Sequence, residues 1–267
     1  MRRFGKFLMM FVVLVGMLCA LPAFVHADAL DDIKQAKKIR IATDLAHAPD
    51  GMMDSNMQPT GFDVDVGRLL AKDLGVEVEI VNTTGGTRIP LLQTNKADLV
   101  ISTLSVTAER AKIIDYSLPY TALQSVVAAP KNMNIKGLPD LAGKSVGVTR
   151  GTTQDTDLTR DAVGAQIMRF DDDNMLMAAA ASGQADIIAT SVVLIDAINK
   201  KNPKRQLEPK FVQRNFMTAM GLRKGEPRLL EWVNTWIRTN IKNGKLNELN
   251  KKYHGAGLPD EVIKASN

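Results

Sequence analysis

Lys96-Ala97-Asp98-Leu99-Val100-Ile101-Ser102 and Gln184-Ala185-Asp186-Ile187-Ile188-Ala189-Thr190 follow one pattern. Each leaves a polar helix exit, passes one acidic residue, runs through apolar residues and ends on a hydroxyl. That is how a strand buried on both faces reads when its carboxyl end opens toward solvent. Its recurrence in the second half of the chain predicts two similar α/β lobes.

Elements on either side of the two stretches agree. Upstream of the first lie a short apolar run at Ile39–Ala42, helical spacing over Phe62–Leu74, alternation over Val76–Val81, and a short helix from Ile89 with Pro90 in its first turn. The second unit opens at Leu141. It carries strands at Ser145–Val148 and Ile167–Phe170, a polar helix start after Gly151, and an alanine-rich helix over Asn174–Ala181 that ends near Gly183. Alternating strands and helices predict α/β lobes with mostly parallel sheets. Extended segments at Gln124–Ala129 and Phe216–Leu222 flank this unit, and helices follow, including amphipathic Pro227–Ile241 with Trp232 and Trp236 stacked toward the core. If both extended segments join the lobes, lobe one is residues 28–123 with 217–267, and lobe two is the inserted stretch 124–216.

Composition sets the class. The chain has 267 residues, 45% hydrophobic and 24% charged, which excludes a disordered, collagenous or multispanning protein. Phe7–Leu21 is its one long apolar run; it follows Arg2, Arg3 and Lys6 and closes on Val25-His26-Ala27. Basic, apolar and small-residue zones in that order predict a secretory signal over residues 1–27, cut after Ala27, because about 15 apolar residues are short for a bilayer span. The formal charge of +5 counts the three leader cations; without them 31 basic residues face 29 acidic ones, and no nucleic-acid footprint remains. Cys19, the only cysteine, lies in the leader, and Leu18 before it is too large for a lipid-attachment motif. The mature chain therefore has no disulfide, thiolate nucleophile or cysteine-based zinc site, and no cofactor is expected.

Several motifs fail on context. Gly143-Lys144-Ser145-Val146-Gly147 matches a nucleophile elbow, but Ser145 opens a strand. Gly137 to Ser145 has the wrong glycine spacing for a phosphate loop, with Pro139 between and no helix after. His47 and His254 lack partners at metal-ligand spacing, and Asp171-Asp172-Asp173-Asn174 lacks the glycine and distal glutamate of a calcium loop, so it reads as a solvated strand exit.

Two strand ends carry the chemistry. Ser102-Thr103-Leu104-Ser105-Val106-Thr107-Ala108-Glu109-Arg110 offers hydroxyls, turn amides and one guanidinium where open α/β sheets bind ligands. That set suits a carboxylate, which Arg110 can hold through two parallel N–H bonds. The bland alternative is a helix cap by Thr107 with Arg110 on a solvated face. In lobe two, Thr149-Arg150-Gly151-Thr152-Thr153-Gln154 runs a strand through a glycine turn into a helix start, leaving N–H groups free for an anion; plain capping by Thr152 or Thr153 is its alternative.

At these residues the sequence resembles the periplasmic solute-binding proteins of polar amino-acid ABC importers, extracellular solute-binding family 3, over about Ile39 to Gly255. The resemblance rests on Ile41-Ala42-Thr43-Asp44 with Ala48-Pro49, Gly61-Phe62-Asp63-Val64-Asp65, Ser102 to Arg110, Asp115-Tyr116-Ser117 with Pro119-Tyr120, Gly151-Thr152-Thr153, and Gly221-Leu222-Arg223-Lys224, in that order. It implies a type II periplasmic binding protein-like fold: two α/β lobes joined by two crossing strands, with the ligand cleft between them. By position it implies that Arg110 clamps a ligand α-carboxylate with Ser102, Thr103 and Ser105, and that Thr152 and Thr153 close on it from lobe two. Asp44 and His47 fall at first-strand positions that touch ligand, and Arg88 matches an arginine that meets a side-chain carboxylate in members with acidic ligands.

Three positions depart from the pattern. Ser191 stands where members that bind α-amino acids usually carry the acid that meets the ligand ammonium. Gly85 replaces a stacking aromatic, and Asp173 stands where a histidine can occur. Either Asp173 or Asp44 then supplies the counter-charge, or the ligand amine is differently placed or absent. The expectation is a periplasmic, monomeric, non-enzymatic receptor that delivers an amino acid or related carboxylate to an ABC permease in the inner membrane. The rival is a lyase like cyclohexadienyl dehydratase on the same scaffold, for which Asp173 is the general-acid candidate. A ligand sensor would need a membrane span or signalling domain after the cleft, and none is expected.

Overall fold

The computed structural model describes residues 28–266, so the expected leader and Cys19 lie outside the described residues. In chain order the elements are α1 (Ala29–Ala36), β1 (Lys38–Thr43), β2 (Met52–Met53), β3 (Pro59–Thr60), α2 (Phe62–Leu74), β4 (Glu77–Asn82), α3 (Arg88–Gln93), β5 (Leu99–Val100), α4 (Ala108–Ala111) and β6 (Asp115–Pro130). After a 3-10 turn at Leu138–Leu141 follow β7 (Ser145–Thr149), α5 (Thr153–Asp161), β8 (Gln166–Phe170), α6 (Asp173–Ser182), β9 (Ile187–Ser191), α7 (Val192–Lys201), β10 (Leu207–Leu222), α8 (Pro227–Lys242), α9 (Lys245–His254) and α10 (Asp260–Ala265). No helix among the described residues is long and apolar enough to cross a membrane.

Eight strands join in the order β4-β1-β5-β10-β6-β9-β7-β8. The order is symmetric about its centre: in each half the first strand lies between the second and the third, and the third pairs antiparallel with a long crossing strand. This is the structural form of the repeat seen in the sequence. Alternation sorts side chains to the two faces of the sheet, Val126 and Ile188 to one core and Val127, Ile187 and Ala189 to the other. In the first half, Ile39, Ile41 and Leu99 join Phe62, Leu70 and Trp236 in one core, while Ala42 and Val100 join Leu92 and Leu104 on the opposite face.

Helix ends follow local chemistry. Asp63 and Asp65 sit in the first turn of α2, where their charge favours the helix dipole, and Gly75 closes it at φ 76°. Trp236 is buried and donates its indole N–H to Asp73 at 2.8 Å; Trp232 packs half-buried at the edge of the same core.

Several elements differ from expectation. The crossing strands are 16 residues each, far longer than the segments 124–129 and 216–222, because β6 and β10 pair with one another and so satisfy polar stretches that carry no strand signal alone. β5 is shorter than 98–102, although Asp98 and Ile101 still bond to the carbonyls of Arg40 and Ala42. Helices α1 and α7 were not expected. α7 follows β9 without a loop, and Ser191 caps it by accepting from the Leu194 amide at 3.4 Å.

Candidate functional site

The carboxyl ends of β1 and β5 face those of β7 and β9 across the crossing strands, and the cleft lies where they meet. A cavity of about 20 Å³ remains, room for about one water, so the lobes are closed on each other. Of the expected residues, Asp44, His47, Arg88, Thr103, Ser105, Thr152, Thr153 and Asp173 line it. Ser102, Arg110 and Ser191 stand directly behind or beside this lining. The Ser102 carbonyl accepts from Arg88 and its hydroxyl accepts from the Asp44 amide at 3.0 Å. Leu123, Thr149, Gln154, Ala189 and Thr190 also line the cavity and were not expected. Thr149 and Thr190 had a signal, since both end a buried strand on a hydroxyl, the same rule that selected Ser102.

Both arginines turn inward. Thr107 caps α4 through the Arg110 amide at 3.3 Å, so the capping alternative holds for Thr107; the Arg110 side chain, however, reaches back into the cleft instead of lying on a solvated face. It donates to the Ser105 carbonyl at 3.2 Å and, across the cleft, to the Gly151 carbonyl at 3.1 Å. Burial and the neighbouring Arg88 charge pull its pKa down to about 10, which leaves it charged at neutral pH. Arg88 is 5% exposed, donates to the Ser102 carbonyl at 2.6 Å, and keeps its Nε without a partner; burial lowers its pKa against the pull of Asp44 and Asp173. Among the described residues no carboxylate lies within 4.0 Å of either guanidinium.

His47 and Asp173 join the lobes. Nδ1 of His47 donates to Asp173 Oδ2 at 2.5 Å and its Nε2 donates to Ser191 Oγ at 3.0 Å. The Thr149 hydroxyl donates to the other Asp173 oxygen. Burial opposes a charge on His47, but Asp173 against it, with Asp50 and Asp44 beyond, pushes its pKa up to about 9. Burial opposes the Asp173 charge too, and His47 more than offsets this, so Asp173 stays below its usual range. The solvated-exit reading holds for Asp171 and fails for its neighbours: Asp172 caps α6 by accepting from the Met175 amide, and Asp173 is buried. Asp44, at the end of β1, accepts from the Ala46 amide at 2.9 Å, and burial, followed by the Asp173 charge, raises its pKa to about 6.

Lobe two approaches through its glycine turn. Gly151 has φ +74°, and a Cβ there would sit 2.7 Å from Gly86 Cα. At Gly85 a Cβ would sit 2.9 Å from the Thr152 methyl. Where the resemblance leads to the expectation of an aromatic ring, this chain has no side chain, and backbone meets backbone. Thr152 caps α5 through the Asp155 amide at 3.2 Å; the Thr153 hydroxyl is buried and donates to Gln154 Oε1 at 3.1 Å.

Comparison with known proteins agrees with this architecture. The sequence profile of the bacterial extracellular solute-binding proteins, family 3, matches residues 39–256. The L-cystine-binding protein TcyJ of Escherichia coli strain K12 is 29% identical over 259 residues, covering 95% of this chain and 97% of that protein. Among solved structures, a mutant of ArgBP from T. maritima superposes with a TM-score of 0.80 at 32% identity, covering 85% of this chain and 99% of the other. The ancestral amino acid-binding protein AncCDT-1, a precursor of cyclohexadienyl dehydratase, gives 0.78 at 34% identity, covering 84% and 99%. The fold is the two-lobed, type II periplasmic binding arrangement that the resemblance implied. The chain belongs to the bacterial extracellular solute-binding proteins, family 3.

Proposed function

We propose that this protein is a non-enzymatic periplasmic receptor that takes up an amino acid or related small carboxylate between its lobes and delivers it to an ABC permease. One observation carries the reading: two inward-turned guanidiniums, neither paired with a carboxylate, lie at the strand ends of a closed interlobe cleft. Arg110 clamps the ligand α-carboxylate with Thr103 and Ser105, and Thr152, Thr153 and the Gly151 turn complete the shell from lobe two. Ser102 and Ser191 act from behind, through Arg88 and Asp44 in one case and His47 in the other. Binding favours closure because only the closed arrangement brings both sets to one ligand. The family match and relatives named for cystine and arginine binding support the class.

The lobe boundaries 123/124 and 216/217 are part of this reading. Leu123 pairs with Phe216 and Gln124 with Asn215, so the two crossings sit opposite one another in the β6–β10 ladder. The receptor acts as a monomer after removal of residues 1–27. A lyase would need a protonated acid in the cleft; Asp173, held ionised by His47, does not meet that need, and Asp44, raised to about 6, is mostly ionised at neutral pH.

A thermal-shift screen of the protein against amino acids, dicarboxylates and amines tests the reading. At a hundredfold excess over Kd a ligand adds about 2.7 kcal/mol, which for this size raises Tm by roughly 5–11 °C. No shift with any amino acid or carboxylate would sink it. Gly151→Ala is expected to weaken the binding of a ligand so found by about tenfold or more, since the added methyl would sit 2.7 Å from Gly86 Cα only when the lobes are closed, and overpacking of that kind costs roughly 1–3 kcal/mol. Calorimetry giving an unchanged Kd would show that the lobes do not meet at this turn when ligand is bound.

A further inference from the structure

We propose that His47, by claiming Asp173, sets the charge class of the ligand, so that the cleft selects an amino acid of net charge −1, with a second carboxylate on its side chain, over neutral and cationic amino acids. This rests on the receptor reading and goes beyond it, because the named relatives bind cystine, arginine, glutamine or histidine.

The charges around the cleft do not cancel. Three cations stand at the cleft, the buried Arg88 and His47 and the half-buried Arg110, against two buried anions, Asp44 and Asp173. Behind this lining Asp50 pairs with His254 at 2.9 Å and lies 3.9 Å from His47, Asp63 accepts from the Tyr120 hydroxyl and the Thr103 amide, and Asp155 pairs with Arg169 at 2.8 Å. One positive charge is therefore in surplus, and a ligand of charge −1 cancels it, whereas a zwitterion leaves it and a cationic amino acid adds to it.

Donors and acceptors point the same way. Two guanidiniums with no carboxylate partner suit two carboxylates, and Arg88 keeps a fully buried Nε unused. Both oxygens of Asp173 are engaged, by His47 and Thr149, so a ligand ammonium does not find a free acid there. Asp44 uses one oxygen on the Ala46 amide and has the other to offer. An acidic amino acid thus finds a partner for each of its three charges. An amide in place of its side-chain carboxylate would leave a buried guanidinium unmatched.

Calorimetric titrations at pH 7 and low salt with L-glutamate, L-aspartate, L-glutamine, L-asparagine and L-arginine test this. The acidic member of one pair is expected to bind at least about 100-fold more tightly than its amide, and arginine more weakly still. An amide or arginine that binds as tightly as the acid overturns the charge assignment and leaves the receptor reading standing. No binding by any of the five overturns the charge assignment, and the receptor reading falls with it only when the thermal-shift screen finds no carboxylate either. His47→Gln frees Asp173 and removes the surplus, so the acid-to-amide ratio should fall below about 10 through tighter amide binding. A ratio that stays near 100 in this variant would take the selection away from His47. Should the variant fail to fold, the titrations of the unaltered protein still decide the charge class.

Discussion

Arg110→Ala is expected to weaken ligand binding by roughly 30- to 5,000-fold, the range for truncating one partner of a hydrogen-bonded charge pair at about 2–5 kcal/mol. The guanidinium belongs to a short helix start fixed by Thr107, so its loss leaves β6, β10 and both cores untouched. Its contacts in the closed cleft are with two carbonyl oxygens, which water satisfies once the side chain is gone. The fold should therefore persist: circular dichroism and melting temperature stay close to those of the parent while calorimetric heat with its ligand disappears. An affinity within threefold of the parent would remove Arg110 from the carboxylate clamp.

Asp173→Asn should lower stability at pH 7 by about 2–3 kcal/mol, or roughly 4–12 °C in Tm. The bound comes from His47. Deprived of its partner, the imidazolium escapes by losing its proton, and holding a group near 9 instead of 6.5 is worth on the order of 2–3 kcal/mol at that pH. The pH dependence has a definite sign. His47 has its pKa raised by folding, so its contribution is complete below about 6.5 and is lost as pH rises through about 9. Asp173 has its pKa lowered, so its part is complete above 3.8 and is lost as pH falls through its folded value. The gap between parent and variant should thus be widest between about pH 4 and 6.5 and shrink toward pH 9. Melting curves across that range check it; a gap that stays constant up to pH 10 would mean that His47 is not charged in the folded protein.

The sequence carried the architecture because each strand has its own local pattern. The apolar cores of the two stretches, Leu99–Val100 and Ile187–Ala189, are buried throughout, so hydrophobicity alone announces them. The crossing strands were only half visible: stretches such as Asp115–Thr121 owe their strand form to a partner about a hundred residues away. In the cleft, hydroxyls and arginines at strand ends were legible because position in the fold implies role. The pairing of His47 with Asp173 was not. The two are 126 positions apart on different lobes, and nothing local says that an acid beside two exposed-type aspartates will be the buried one. Register within α6 decides it: Asp172 turns back to cap the helix and Asp173 turns inward. The substitution at Gly85 was visible as a departure, while its effect, backbone contact with Gly151, needed both lobes in place.

The double crossing has a consequence for how the protein is made. Residues between the two crossings form a continuous stretch with its own sheet order, β8-β7-β9-β6, whereas the other lobe needs β10 beside β5 and needs α8, whose start holds α1 through the Ala29 amide to Glu226 at 2.7 Å. A chain that emerges amino end first therefore holds β1, β4 and β5 long before the strand and helix that finish their core. The later-encoded lobe is complete first, and the earlier-encoded one waits for the carboxyl-terminal quarter. Until then the half-built sheet exposes the edge of β5, an unpaired row of backbone groups open to wrong pairing.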